Sequence, residues 1–187
     1  MPTPNQDFRR ALTEVSASSA GGAPFLIAYG LTFLITGVLS FFLSREIVAL
    51  IAMFQGGVSL PLAFWLERRL GSTRMSADNP LRVLSGQMAV SQALIIPALI
   101  VTYSLEPGAV PVVLAGVGGM HFLPYAWLHR TRLYAILAGT IALGAFALQV
   151  ILGREAFSII LLFIAAAYWV AAPLVYRHAK QIVAAGA

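Results

Sequence analysis

The residues of this sequence that could do chemistry are one histidine and several uncharged polar side chains inside long apolar runs. His121 lies in GVGGMHFLPYAWLHR, and Tyr125 follows one helical turn later. Imidazole titrates near neutral pH, so His121 could bind a ligand or carry a proton. An ionisable residue within an apolar span is a functional candidate. The alternative is that His121 stays neutral and only hydrogen-bonds between packed helices.

Other polar residues recur at helical spacing. Gln55 and Ser59 are four residues apart, as are Gln87 and Ser91, and Thr36 belongs to a polar stripe in the first apolar run. These groups cannot face lipid without cost, so we expect them to point into a helix bundle. The predicted ligand or pathway residues are His121, Tyr125, Gln55, Ser59, Gln87, Ser91 and Thr36.

The sequence carries no recognisable catalytic, metal or cofactor motif. Cysteine is absent, and no phosphate-binding glycine loop or HExxH occurs. The three histidines are too far apart in depth for one metal site, since His121 is predicted at mid-membrane and His129 and His178 at the inner interface. All seven carboxylates fall at span ends, in the inner loop or in the N-terminal segment. We therefore predict no metal, no cofactor and no catalytic residue, and we expect a non-enzyme rather than an enzyme.

The composition is that of a membrane protein. Of 187 residues, 59% are hydrophobic and 10% are charged, and the mean hydropathy is +0.85. A soluble domain carries about 25% charged residues. The net charge of +5 is spread in short clusters between apolar runs, which indicates membrane topology and not nucleic-acid binding.

Six apolar windows of about 20 residues are each long enough to cross a hydrocarbon core of roughly 30 Å. The predicted fold is an all-α integral membrane protein with six transmembrane helices, arranged as three hairpins of the same orientation. The windows are 24–43, 47–66, 83–103, 110–128, 133–152 and 156–176.

The positions of lysine and arginine predict the orientation. If the N-terminus is cytoplasmic, only Arg45 and Arg154 lie outside. We therefore expect a cytoplasmic (inner) membrane protein with both termini in the cytoplasm. Ten of the twelve basic residues then lie inside: Arg9, Arg10, Arg68, Arg69, Arg74, Arg82, Arg130, Arg132, Arg177 and Lys180.

Three segments follow from this assignment. Residues 1–23 form a cytoplasmic N-terminal segment, 24–178 the transmembrane domain and 179–187 a short cytoplasmic tail. In the first segment Phe8, Leu12 and Val15 share a helical face, which predicts an amphipathic helix at the membrane surface. A frayed tail is the alternative.

The hairpins resemble one another, which predicts a threefold internal repeat. FFLSREIVALIAMF aligns with VILGREAFSIILLF, so Arg45 and Arg154 occupy equivalent outer turns. GGVSLPLAFWLER, GGMHFLPYAWLHR and AAAYWVAAPLVYR each carry a small pair, a proline and a final arginine at the same spacing.

Basic residues on the predicted inner side could contact anionic lipid headgroups. In the inner loop ERRLGSTRMSADNPLR, Asp78 or Asn79 is placed to cap the third span. The candidate headgroup contacts are Arg68, Arg69, Arg74, Arg82 and Arg130.

DNPL, the proline in LIIPAL and above all HFLPYAWLH carry a resemblance to a known family. From about Phe25 onward the chain resembles an uncharacterised bacterial family of small membrane proteins, a domain of unknown function. The resemblance implies a six-span fold in the cytoplasmic membrane, and it transfers no activity and no functional residue.

Three classes of function remain open. The first is a small oligomeric transporter or channel-like protein for a neutral or weakly ionisable solute. The second is a lipid-binding or lipid-modifying protein, with His121 as general base in the enzymatic version. The third is a non-catalytic scaffold or stress protein with a dry, packed core. The expected partners are the bilayer, including anionic lipids, a small-molecule or lipid ligand, and further copies of the chain, with no nucleic acid.

Overall fold

The computed structural model describes residues 4–71 and 73–186, and within these ranges the chain is helical and contains no β-strand. The all-α prediction is therefore confirmed. The α-helices are α1 (Pro4–Ser18), α2 (Ala23–Leu39), α3 (Arg45–Phe54), α4 (Gly56–Leu70), α5 (Arg82–Ser91), α6 (Ile96–Leu105), α7 (Val110–Leu128), α8 (Leu133–Leu152) and α9 (Ala156–Gly186). Short 3₁₀ turns lie at Ala20–Gly22, Gln92–Ile95, Pro107–Ala109 and Gly153–Glu155.

Five stretches of the described chain are long and apolar enough, by length and composition, to cross a membrane. They are Ala20–Leu39, Arg45–Leu70, Arg82–Leu105, Pro107–Leu128 and Leu133–Ala185. The last has 53 residues and contains both α8 and α9, joined through the turn Gly153–Glu155. Each predicted window overlaps one of these stretches, and windows 133–152 and 156–176 share the last.

The first window was drawn too long at its C-terminal end. Helix α2 ends at Leu39, where the prediction continued to 43. The Ser40 hydroxyl donates a hydrogen bond to the carbonyl of Gly37 at 2.6 Å, and Phe41 and Phe42 follow in a turn. Because these turn residues are as apolar as the helix, composition alone cannot mark the boundary.

Helix α9 is the centre of the packing. It contacts α2, α8 and α1 along its length, while α7 packs on α8 and α4 packs on α2. One face of α9 is buried at helical spacing, including Ile160, Ile164 and Tyr168. This is the 3.6-residue period expected of a helix with neighbours on one side.

The stretch Arg82–Leu105 is the least covered by the rest of the chain. Only 12% of its most apolar window is buried, against 50% for Ala20–Leu39. Val83, Val90 and Leu94 are all more than half exposed. Most of the apolar surface of α5 therefore has no neighbour within the described chain.

Residues Pro4–Ser18 form α1, which packs on the bundle. Ala11, Leu12 and Val15 of α1 are buried, and they cluster with Leu128 at the end of α7. The rings of Phe8 and Trp127 are 5.8 Å apart. Helix α1 is thus joined to the other helices by its apolar face.

The contacts of the turns and loops that join the helices define two ends of the bundle. At the first, which we call the His129 end, the turn at Gly21 lies against Val175 and Ala179 of α9, and His129 and Tyr134 lie close to Gly22. At the opposite end, which we call the Arg154 end, the connections α2–α3, α6–α7 and α8–α9 meet around one pocket.

Candidate functional site

The second apolar stretch is interrupted at Gln55, between the end of α3 and the start of α4. The Gln55 carbonyl accepts the backbone N–H groups of Val58 at 3.0 Å and Ser59 at 2.9 Å. Two glycines follow Gln55, and glycine in a helix interior costs about 1 kcal/mol relative to alanine. Interrupted helices in membranes are positions where backbone and side-chain polar groups become available to a ligand.

Polar side chains of α2 and α4 meet beside this interruption. The hydroxyl oxygens of Thr32 and Ser59 are 2.8 Å apart, and Ser59 also donates to the Gln55 carbonyl at 2.9 Å. Both hydroxyls are buried. A methyl group at Gly56 would lie 3.3 Å from the Tyr29 hydroxyl oxygen, so Tyr29 also reaches the start of α4. We call Tyr29, Thr32, Gln55 and Ser59 the Gln55 cluster.

The Gln55 side chain has an unused acceptor. Its side chain is 7% exposed, and within the described chain its Oε1 has no hydrogen-bond partner. Leaving a buried polar atom unpaired costs about 1–3 kcal/mol. Such an atom marks a position where a donor from a ligand or a water would be stabilised.

The prediction that Thr36, Gln55 and Ser59 point inward is confirmed, since all three are buried. Thr36 donates to the Thr32 carbonyl at 2.8 Å, so its hydroxyl is used within α2.

The expectation that Gln87 and Ser91 also point inward is wrong. Both are exposed on α5, and the Ser91 hydroxyl bonds to the Met88 carbonyl at 2.7 Å. They have the same spacing as Gln55 and Ser59, but α5 has few neighbours to face. The seven predicted pathway residues therefore do not form one group.

His121 is half-buried on α7 and contacts aromatic rings. Its ring lies edge-on to Tyr125 at 4.9 Å between centroids and 6.0 Å from Phe122. Among the described residues it has no hydrogen-bond partner. This environment gives His121 neither an activating carboxylate nor a fixed tautomer, both of which a general base uses.

Glu67 is a site residue that the sequence analysis missed. It is half-buried on α4, and its carboxylate lies within electrostatic range of Tyr125. Ser59, Ala63 and Glu67 follow at four-residue spacing, and Ser59 and Ala63 are fully buried. That spacing was the available signal, because it continues the inward face of α4 to Glu67.

A second buried polar group lies at the His129 end. His129 is 3% exposed, and its Nδ1 is 3.0 Å from the Ser16 hydroxyl of α1. Its ring is parallel to Tyr125, with centroids 5.9 Å apart, and lies 5.4 Å from Tyr134. The Tyr134 hydroxyl donates to the carbonyl of Gly21, where a positive φ of 66° makes glycine the favoured residue.

Burial lowers the pKa of His129 to about 4, and the nearby His178 lowers it further. At neutral pH the ring is therefore uncharged. Ser16 and His129 lie at the junction of α1 with α7, so this pair holds α1 in place. In the part of the chain that the structure describes, no three His, Asp or Glu side chains are placed to hold a metal.

Asn79 of the inner loop fastens that loop to α1 and does not cap the third span. Its amide donates to the Ala11 carbonyl at 3.1 Å and to Glu14 at 2.8 Å, and its Oδ1 accepts the Leu81 N–H at 2.9 Å. Helix α5 begins only at Arg82, and it has no side-chain cap.

The five predicted headgroup contacts are exposed. Arg69 lies over the ring of Trp65 at 5.4 Å, and Arg130, in the turn after α7, has a positive φ of 52°. They do not gather in either of the two pockets described here. The exposed basic residues are Arg68, Arg69, Arg74, Arg82 and Arg130.

An apolar groove opens on the side of the bundle. Its volume is about 490 Å³, and it runs between α2, the end of α4 and α9. Lys180 lies 4.6 Å above the ring of Tyr176, a residue of the groove wall. The lining residues are Ala23, Ile27, Leu70, Trp169, Ala172, Pro173 and Tyr176.

These features define an all-helical protein with several helices long and apolar enough to cross a membrane, and with a buried polar cluster at an interrupted helix. The chain belongs to a family of unknown function (DUF7010), whose sequence profile matches residues 8–178. Comparisons with curated proteins and with solved structures give no match.

Proposed function

We propose that the protein crosses the cytoplasmic membrane six times with both termini in the cytoplasm. The Arg154 end carries Arg45 and Arg154, while the connections with the other ten basic residues belong to the His129 end. Such asymmetry favours a cytoplasmic His129 end. The turn at Gly153–Glu155, which separates α8 from α9, supports counting the last apolar stretch as two crossings.

We further propose that the protein binds a small neutral or weakly ionisable solute at the Gln55 cluster and moves it across the membrane. The observation that carries this proposal is the buried, unpartnered Oε1 of Gln55 at an interrupted helix. The Thr32 and Ser59 hydroxyls use their protons in contacts with each other and with the carbonyls of Tyr29 and Gln55, so they offer lone pairs to a solute. The Tyr29 hydroxyl, which reaches the start of α4, can act as a donor.

Tyr125 and Glu67 extend the polar surface from the Gln55 cluster toward the His129 end. Tyr125 lies within electrostatic range of the Glu67 carboxylate. Helix α4 packs mainly on α2, and α7 packs mainly on α8. A solute that leaves the Gln55 cluster toward the His129 end would meet these polar groups next. In this proposal His121 lies beside the route as the neighbour of Tyr125, and it is not a catalyst.

The test is solute flux into proteoliposomes, with glycerol and urea as probes and light scattering as the readout. The Gln55→Leu variant should lose the protein-dependent flux. It should keep or raise the melting temperature, because an unpaired buried acceptor is replaced by apolar surface of similar size. The Gln87→Leu variant is the matched control, since Gln87 is exposed on α5, and it should transport like the unaltered protein.

Unchanged flux in Gln55→Leu, or an equal loss in Gln87→Leu, contradicts the proposed site. The absence of flux for both probes in the unaltered protein contradicts transport of small neutral solutes.

A second candidate function, lipid binding, is favoured by the apolar groove. The groove opens sideways, where acyl chains would lie, and Lys180 at Tyr176 supplies a cation for an anionic headgroup. In native mass spectrometry the protein should retain phosphatidylglycerol, and Lys180→Ala should retain less. Arg132→Ala, an exposed change at the same end, should not alter retention. Equal retention of phosphatidylglycerol by all three proteins would contradict lipid binding in the groove.

A further inference from the structure

A second pocket lies at the Arg154 end, away from the Gln55 cluster. Its volume is about 240 Å³. Arg45 begins α3, and ten residues of helix separate it from Gln55, a distance of about 15 Å along the axis. The pocket is lined by Arg45, Glu106, Gly108, Ala109, Gln149, Gly153 and Arg154.

Two arginines from distant parts of the chain face this pocket. Arg45 and Arg154 are the two basic residues that the sequence places on the outer side, and both line it. Among the described residues neither forms an ion pair. Glu106 lines the same pocket and the charge of Arg45 also acts on the adjacent Glu46, but among the described residues neither carboxylate forms an ion pair with an arginine. Both guanidinium groups therefore keep N–H donors that can bind phosphate or carboxylate oxygens.

The pocket also offers acceptors. The Glu106 carboxylate accepts the Gly108 N–H with Oε1 at 3.1 Å, which leaves its other oxygen for a ligand. Gln149 donates through Nε2 to the Gly153 carbonyl at 3.0 Å, while its buried Oε1 has no partner in the described chain. A simple anion such as phosphate would use the arginines and leave both acceptors without a donor.

Two cations and two acceptors in one small pocket match a ligand that carries both an anionic group and N–H donors. We propose that the pocket binds a zwitterionic group in which a phosphate or carboxylate is joined to a primary ammonium. The arginines hold the anionic oxygens, and Glu106 accepts from the ammonium with Gln149 beside it. An ethanolamine lipid headgroup and a free amino acid share this chemistry.

The test compares small molecules that carry an anionic group with and without a primary ammonium. The melting temperature of the full-length protein in detergent is measured with phosphoethanolamine, phosphocholine, glycine and inorganic phosphate. Phosphoethanolamine should raise the melting temperature more than phosphocholine, whose quaternary ammonium has no N–H. Phosphate should give the smaller shift of an anion alone. Equal shifts for phosphoethanolamine, phosphocholine and phosphate, or no shift with any probe, would overturn the proposal.

Substitution of the two pocket arginines tests whether phosphoethanolamine binds in this pocket. Arg45→Gln and Arg154→Gln should each weaken phosphoethanolamine binding by about tenfold or more, the effect of losing one charge-assisted hydrogen bond. Arg132→Gln, at the other end, should bind as the unaltered protein does. Normal helical circular dichroism in each variant excludes unfolding as the cause. Unchanged binding in both pocket variants would rule the pocket out.

Two further experiments distinguish a lipid ligand from a free amino acid. A lipid ligand predicts that phosphatidylethanolamine stays bound in native mass spectrometry and is lost from Arg154→Gln. A free amino acid predicts that glycine stabilises the protein as strongly as phosphoethanolamine does. This inference is independent of solute transport, because Gln55→Leu should leave the phosphoethanolamine shift intact.

Discussion

Ser16 and His129 are 113 residues apart in the chain, and the Ser16 hydroxyl lies 3.0 Å from Nδ1 of His129. Both side chains are at least 97% buried. This hydrogen bond fixes α1 to the junction of α7 and α8, which is far from α1 in the sequence.

Removing the Ser16 hydroxyl should therefore destabilise the protein. Ser16→Ala leaves a buried ring nitrogen without a partner, which costs about 1–3 kcal/mol. The measurement is thermal unfolding in detergent. Thr13→Ala is the matched control, because the Thr13 hydroxyl bonds only within α1, to the Arg9 carbonyl at 3.0 Å. If the two variants melt at the same temperature, the Ser16–His129 contact contributes nothing.

The free energy of unfolding should fall as the pH is lowered from 6.5 toward 4. The folded pKa of His129 is about 4, lowered mainly by burial from an ordinary value of 6.5. Between these values the unfolded chain binds a proton that the folded chain does not. The stabilisation, on the order of 3 kcal/mol, is complete above pH 6.5 and is lost as the pH falls toward 4.

Melting temperatures measured from pH 7 to pH 4.5 check this prediction. His129→Asn should flatten the curve over that range, whatever its effect at pH 7. A curve of unchanged slope in His129→Asn would show that another group titrates on unfolding.

The inner loop should depend on Asn79 and not on its neighbour Asp78. Asn79→Ala removes two donated hydrogen bonds and one accepted bond in a buried position, so we expect a loss of about 2 kcal/mol or more. Asp78→Ala changes an exposed residue and should stay within about 0.5 kcal/mol. Faster proteolysis of the loop in Asn79→Ala than in Asp78→Ala is the second expected result.

Helix α7 should tolerate an added methyl group at Gly116 but not at Gly119, where α7 packs on α8. At Gly119 it would meet the Ala138 carbonyl oxygen at 2.8 Å, so Gly119→Ala should cost about 1–3 kcal/mol. At Gly116, one turn earlier, nothing lies within 4 Å, so Gly116→Ala should be neutral or stabilising by up to about 1 kcal/mol. The reverse order of melting temperatures would contradict the α7–α8 contact.

The sequence predicts the helices and some of the polar residues that point inward, because both depend on the spacing of apolar and polar residues along the chain. Apolar windows mark the long helices, and four-residue spacing correctly turns Gln55 and Ser59 inward. The same spacing fails for Gln87 and Ser91, since periodicity indicates a shared face and not whether another helix covers it. Coverage depends on tertiary neighbours, of which α5 has few in the described chain.

Depth along a helix was a poor guide to burial. His121 was placed near mid-membrane, yet it is half-buried, whereas His129 at the helix end is almost fully buried under α1. That burial needs α1 to fold back on the bundle, a long-range contact without a local signal. The internal repeat and the oligomeric state stay predictions, although Arg45 and Arg154, which the repeat alignment pairs, do line one pocket.

The interruption at Gln55 also bears on the charge of the solute that we propose it binds. Helix α3 ends there and α4 begins there, so the carboxyl end of one helix dipole meets the amino end of the next. Their partial charges, roughly −0.5 and +0.5, nearly cancel at this point. A molecule with a strong dipole and no net charge gains from both helix ends, whereas an ion gains from one and is repelled by the other. For the solute binding that we propose, a polar uncharged molecule is therefore favoured over either sign of ion.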